Sequence, residues 1–138
     1  MATESTPTFR TLGPYETRGE LGRGGMAIVY QGLQPSLNRP VAIKVLPEQF
    51  AAQPELLARF EREGTIIAQL NHPNIVQVID RGRQGNTLYI VMEYLEGRNL
   101  NQTVRKGGPI PVERAIPILV AVCGAWTRRT TWGSCTGI

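Results

Sequence analysis

The sequence has few of the residues that build a site on their own. Among 138 residues there is one histidine and there are two cysteines. Cys123 and Cys135 stand too far apart for a zinc knuckle and are too few for a disulfide framework. His72 precedes Pro73 at the end of a helical pattern, where a structural role outweighs metal binding. Long apolar runs are missing as well. Ile118–Cys123 is far short of the roughly 20 residues that cross a bilayer, so no membrane partner is expected. The opening Met1-Ala-Thr-Glu-Ser-Thr-Pro7 lacks the charged and apolar parts of a signal peptide, and the expected setting is the reducing cytoplasm. Lysine is scarce: of fifteen basic residues, only Lys44 and Lys106 are not arginine.

What is present supports a folded chain. A hydrophobic content of 41% is enough for a core, and the length suits one domain. Fifteen basic against eleven acidic residues leave a net charge of +4, which raises the question of nucleic acid. The basic residues are scattered, however, and aromatic residues do not alternate with them as a stacking platform requires. No nucleic-acid partner is expected.

Residues 1–14 are rich in Ser, Thr and Pro and read as a flexible lead ending at Gly13-Pro14. Arg18 to Leu21, Ala27 to Gln31 and Val41 to Leu46 read as strands, with a turn over Pro35 to Pro40. Pro54 to Leu70 is an amphipathic helix, because Leu56, Phe60, Ile67 and Leu70 recur at helical spacing. Asn71-His72-Pro73 ends it. Ile75 to Asp80 and Thr87 to Tyr94 then read as a hairpin across residues 81–86. Asn99 to Arg105 and Val112 to Ala125 are further helices, and Pro117 should kink the second or shift its start. The fold class is therefore α+β: a five-stranded antiparallel sheet with one helix against it, followed by helices.

Leu21-Gly-Arg-Gly-Gly-Met-Ala-Ile-Val29 is a glycine-rich turn between strands. Glycines there let backbone N–H groups approach a phosphate and permit positive φ, although a plain hairpin turn has the same composition. A dinucleotide-binding turn would have to open a helix, whereas Ala27-Ile-Val-Tyr-Gln31 is β-like. A Walker loop would need Gly-Lys followed by Ser or Thr, and that triplet does not occur. Lys44 lies in an otherwise apolar strand on the same face as Ala42 and Leu46, where it must snorkel or meet a carboxylate. Glu63, three residues after Phe60 and four before Ile67, falls on the sheet-facing side of the helix. A carboxylate there needs a partner, and Lys44 is the only lysine in the first hundred residues.

These motifs, with Phe60-Glu-Arg-Glu63, Leu70-Asn-His-Pro-Asn-Ile-Val76 and Tyr89-Ile-Val-Met-Glu-Tyr94, follow one another in a familiar order. Over about residues 15–125 the chain resembles the amino-terminal lobe of a eukaryotic-like (Hanks-type) Ser/Thr protein kinase of the bacterial kind. The resemblance implies a kinase lobe over 15–95 and a hinge exit with the first carboxy-terminal-lobe helices over 96–125. It implies that Gly22, Gly24, Gly25 and the backbone through Ala27 cover the ATP phosphates. Lys44 would hold the α- and β-phosphates, with Glu63 fixing its ammonium. Leu21, Val29 and Ala42 would sandwich the adenine, Met92 would be the gatekeeper, and the backbone of Glu93 and Leu95 would bond the adenine edge. Ala27 replaces the third glycine of the loop, and Gly64 inside the helix costs about 1 kcal/mol relative to alanine.

The intact family also needs a catalytic-loop Asp for the substrate hydroxyl and an Asn and an Asp for Mg²⁺. After Glu113 this chain has no Asp, Glu or His. It therefore supplies no catalytic residue and no magnesium ligand of that kind, and weak ATP binding without phosphotransfer is expected. From Trp126 the sequence departs from the family, and the helix is expected to end near Ala125. Residues 126–138 back-translate, in the frame starting at the last base of codon 125, to a run compatible with the family's Leu-Asp-x-x-His-x-x-Gly-Ile-Val-His-Arg-Asp. The expectation is an out-of-frame tail that truncates a kinase before its catalytic loop; the coding DNA tests it. The alternatives are a non-catalytic decoy that pairs with an intact kinase through this lobe, and a non-functional product.

Overall fold

The structure is a computed structural model, and it describes residues 10–130. The chain divides into two compact units. One runs up to Gln69 and takes in Val76–Leu95; the other comprises Leu70–Ile75 and the residues from Glu96 onward.

The first unit is a six-stranded antiparallel sheet with two helices. Its strands are β1 (Thr11–Leu12), β2 (Tyr15–Arg23), β3 (Ile28–Gln34), β4 (Arg39–Leu46), β5 (Val78–Gln84) and β6 (Thr87–Glu93), in the order β1-β2-β3-β4-β6-β5. Helix α1 (Glu48–Ala51) and helix α2 (Pro54–Gln69) lie between β4 and β5 in the chain. The sixth strand is a departure from expectation. Thr11–Leu12 falls within the stretch expected to be a flexible lead, yet Leu12 is fully buried and β1 pairs Thr11 with Glu16 and Leu12 with Tyr15. Gly13, at φ +57°, makes the reversal that a side chain would strain. The β5–β6 turn is also tighter than expected: Gln84 pairs with Thr87, leaving only Gly85-Asn86 as the loop, with Gly85 at φ +60°.

Alternation along the strands separates two faces. Val41, Ile43 and Val45 of β4 join Leu12, Tyr15, Tyr30, Tyr89 and Val91 in one closed cluster. This cluster is sealed by contacts between the two ends of the sheet. The Tyr15 hydroxyl donates to Asp80 Oδ2 at 2.8 Å, and the Tyr15 and Tyr89 rings meet edge to face with centroids 6.5 Å apart. The Gln84 amide accepts from Gly13 N–H at 2.9 Å and donates to the Thr11 carbonyl at 3.3 Å. A side chain on Gly13 or Gly82 would collide with the Tyr89 hydroxyl, so both are glycine to let that ring lie across the seam. Gly32 does the same inside the sheet: a Cβ there would stand 2.8 Å from the Glu16 carbonyl and 2.5 Å from Ile43 Cδ1. The opposite face carries Ala27, Leu46, Phe60 and Ile90, with Leu57, Phe50 and Met92 packed around them. Pro54 opens α2, where its missing N–H is not needed.

In the second unit, α3 (Leu100–Gly107) begins with a capping box between Asn99 and Gln102, and Arg105 and Lys106 stand in its last turn. Helix α4 spans Val112–Thr130. It starts where expected and contains Pro117 in its second turn, so the start is not shifted. It also continues five residues past Ala125, through Trp126. Trp126 to Thr130 favour helix no less than the residues before them once a helix is running, which corrects the expected end. The rest of the tail, with Trp132 and Cys135, lies outside the described residues.

Candidate functional site

The open face is where the polar residues singled out from the sequence assemble. In the ladder, Lys44 stands between Val29 of β3 and Ile90 of β6, and Ala42 stands between Gln31 and Met92. Val29, Ala42, Lys44 and Met92 therefore share one face, and all are partly exposed. Across from them α2 brings Glu63, and Lys44 Nζ meets Glu63 Oε1 at 2.8 Å. The ammonium also lies 5.9 Å from the centroid of the Phe60 ring, within the range of a cation–π contact. The side chains are 21% and 40% exposed, so water still reaches the pair. A pair in that setting is worth on the order of 1 kcal/mol or less to stability. Its value lies in holding a cation at a fixed place.

The helix that carries Glu63 can come this close because of the residue after it. Phe60 and Gly64 are the buried residues of α2. A Cβ on Gly64 would stand 2.6 Å from Ile90 Cδ1. The glycine that costs helix propensity therefore serves the approach of α2 to β6, which no sequence periodicity discloses.

The glycine turn closes tightly, with Gly24 N–H donating to the Ala27 carbonyl at 2.8 Å. None of Gly22, Gly24 and Gly25 adopts positive φ, contrary to the conformational use expected of them. Their contribution is clearance: no atom lies within 4 Å of the place where a Cβ on Gly22 or Gly25 would be. Ala27 is buried in the cluster of Leu46, Phe60 and Ile90, which ties the end of the loop to the helix side of the sheet. Arg23, between the glycines, folds back onto Glu20 through two hydrogen bonds of 3.2 and 2.8 Å. That hydrogen bond and the carboxylate charge raise the pKa of its guanidinium further. Leu21 lies at an irregularity of the β2–β3 register and is about half exposed, and Leu95, beyond the end of β6, is exposed.

Glu93 is the last residue of β6. Its N–H donates to the Gln77 carbonyl at 3.0 Å, and its carboxylate accepts from Gln77 N–H at 2.9 Å. Sequence reasoning had use only for its backbone. At His72, Nδ1 accepts from Asn74 N–H at 3.1 Å, and the carbonyl accepts from Ile75 N–H. Among the described residues no three His, Cys, Asp or Glu side chains gather as a metal site, and no helix is long and apolar enough to cross a membrane.

A six-stranded antiparallel sheet with a glycine turn between two strands, an interior-strand lysine and a helix carboxylate paired with it defines the class of lobe. The comparisons with known proteins give that class a family. Residues 15–127 match the protein kinase domain model. PknB, a serine/threonine-protein kinase of Mycobacterium leprae, is 43% identical over 115 residues, which is 80% of this chain and 18% of that protein. PrkC, a serine/threonine-protein kinase of Bacillus subtilis, is 39% identical over 116 residues, 84% of this chain and 18% of that protein. Among solved structures, the PknI kinase domain of Mycobacterium tuberculosis superposes with a TM-score of 0.74 at 34% identity, over 89% of this chain and 50% of that one. The chain belongs to the protein kinase family and corresponds to the amino-terminal part of its domain. It spans between 12% and 28% of the length of curated relatives of this kind.

Proposed function

We propose that these residues form the ATP-binding lobe of a Ser/Thr protein kinase, and that the 138-residue chain by itself binds ATP weakly and transfers no phosphoryl group. The observation that carries the first part is the 2.8 Å pair of Lys44 and Glu63 on the face that Lys44 shares with Val29, Ala42 and Met92. Lys44 Nζ supplies a positive charge to the α- and β-phosphates, and Glu63 keeps it from swinging to solvent. Gly22, Gly24 and Gly25 leave room for a triphosphate next to backbone N–H groups. Leu21, Val29 and Ala42 offer apolar surface to the adenine, Met92 limits the depth of the pocket, and the backbone of Glu93 and Leu95 meets the base edge.

The residues present fit ATP but not its magnesium. The sequence has a single aspartate, Asp80, and both of its oxygens are engaged, by the Tyr15 hydroxyl and by Arg81 N–H. Glu63 is taken by Lys44. Among the described residues no group of carboxylates gathers to hold the metal. Magnesium and the catalytic residues belong to the intact family.

The test is a titration of the whole chain with ATP, followed by NMR, together with a radiolabelled phosphotransfer assay on a generic protein substrate. Saturable ATP binding that Lys44→Ala abolishes, with no transfer, is the expected result. Transfer that disappears in Lys44→Ala would overturn the second part, and absence of ATP binding would overturn the first. A second reading is a non-catalytic decoy that pairs with an intact kinase through this lobe. Co-purification with a full-length kinase would support it.

A further inference from the structure

Gln77 and Glu93 continue the register of the β5–β6 hairpin, in which Val78 pairs with Met92, by one more residue. An antiparallel pair of this type ordinarily closes with two reciprocal main-chain bonds. Here only one is made: Glu93 N–H donates to the Gln77 carbonyl at 3.0 Å. The returning Gln77 N–H is taken instead by the Glu93 carboxylate, at 2.9 Å. β5 accordingly starts at Val78, although the register would allow it to start one residue earlier.

The side chain has replaced its own main-chain carbonyl as the acceptor. A charged acceptor wins that competition, because hydrogen bonds to ionised groups are shorter and about twice as strong as neutral ones. The consequence falls on the carbonyl that lost its partner. In the ATP-binding reading, on which this inference rests, that carbonyl is one of the two groups that meet the adenine edge.

We propose that the Glu93 carboxylate is a positioning residue for adenine: by capping Gln77 N–H it stops the β-ladder from extending and keeps the Glu93 carbonyl available to the amino group of the base. Without the carboxylate, Gln77 N–H turns to the Glu93 carbonyl, the ladder closes, and the base loses its acceptor. The ladder itself does not weaken. Glu93 thus decides between strand and hinge at this point, and a neutral acceptor in the same place, such as the amide oxygen of glutamine, would compete with the carbonyl only on equal terms.

The experiment uses the whole ¹⁵N-labelled chain, titrated with ATP and separately with inorganic tripolyphosphate. Glu93→Ala is expected to weaken ATP binding about fivefold, the loss of one hydrogen bond, and to leave tripolyphosphate binding unchanged. Gln77 N–H should remain protected from exchange in that variant, now bonded to the carbonyl. Glu93→Gln, with a neutral acceptor in the same place, should fall between the two, restoring part of the ATP affinity. An equal loss for ATP and tripolyphosphate, or a Gln77 amide that becomes exchangeable, would mean a merely structural role and would overturn the proposal. So would unchanged ATP affinity in Glu93→Ala. If the unmutated chain binds neither ligand, the ATP-binding reading fails and this inference falls with it; if it binds ATP and the alanine variant binds it equally, this inference fails alone.

Discussion

The two faces of the sheet are made by alternate residues of the same strands, yet they are finished in different ways. Val41, Ile43 and Val45 face a cluster that is closed to water, sealed by Tyr15, Tyr89 and the contacts from Asp80 and Gln84. Ala42 and Lys44, one residue away in each direction, face a surface left partly open under a helix. The closed face derives its strength from buried apolar area, which is non-directional and large. The open face holds one ion pair whose contribution to stability is small and whose position matters. A strand can therefore carry stability on odd residues and ligand chemistry on even ones, and the two should respond separately to substitution.

The sharpest way to break the contrast is on the closed side. Ile43→Ala removes a fully buried side chain and should cost about 2–5 kcal/mol, read as a fall in the urea midpoint. The corresponding change next door, Lys44→Met, should alter stability by less than about 1 kcal/mol while abolishing ATP binding in a titration. If Lys44→Met were as destabilising as Ile43→Ala, the separation of the two faces would not hold.

The seam can be tested through its titration. Burial, then the hydrogen bond to Asp80 and the charge of Asp80, raise the Tyr15 pKa from 10.0 to about 12. The folded chain thus keeps the phenol proton where the unfolded chain gives it up. Its contribution is complete below pH 10 and is lost as pH rises toward 12. Tyr15→Phe should lower stability at neutral pH by about 1 kcal/mol and flatten the alkaline limb of a stability–pH curve. Burial raises Tyr89 as well, so part of that limb should remain.

Gly64→Ala is the smallest effect and the most informative about the open face. Helix propensity favours alanine by about 1 kcal/mol, while the new methyl must displace Ile90 Cδ1 from 2.6 Å. Since the end of a flexible side chain can yield, the net change in melting should stay within about 1 kcal/mol. Whatever part of the clash Ile90 does not absorb moves α2 outward and should loosen the Lys44–Glu63 pair, visible as weaker ATP binding.

Much of the open face was legible in the sequence because it follows periodicities. Period two put Lys44 on the face of Ala42, and the helical period turned Glu63 toward the sheet; the 2.8 Å contact joins the two. The seam was not legible. Its partners are up to 73 residues apart, and its strand, Thr11–Leu12, is too short to show alternation. Helix α1 has four residues and no pattern to read. The glycines were legible only in part: those of the turn do not use the positive φ that their composition permits, while the packing duty of Gly64 and Gly82 depends on residues distant in the chain. Glu93 was read for its backbone alone, because sequence spacing says nothing about which acceptor an N–H will choose.

The seam also bears on what other chains can do with this sheet. Exposed sheet edges invite strand addition, by which a partner's backbone extends the ladder. Here one edge ends in Thr11–Leu12, and a glutamine from the other edge satisfies the Gly13 N–H and the Thr11 carbonyl. The remainder of β2 is interrupted by register irregularities between Thr17 and Glu20 and between Glu20 and Gly22, which bend a strand away from any straight template. Strand-to-strand joining is thus discouraged at this margin, and a protein that recognises the lobe there must read side chains rather than backbone.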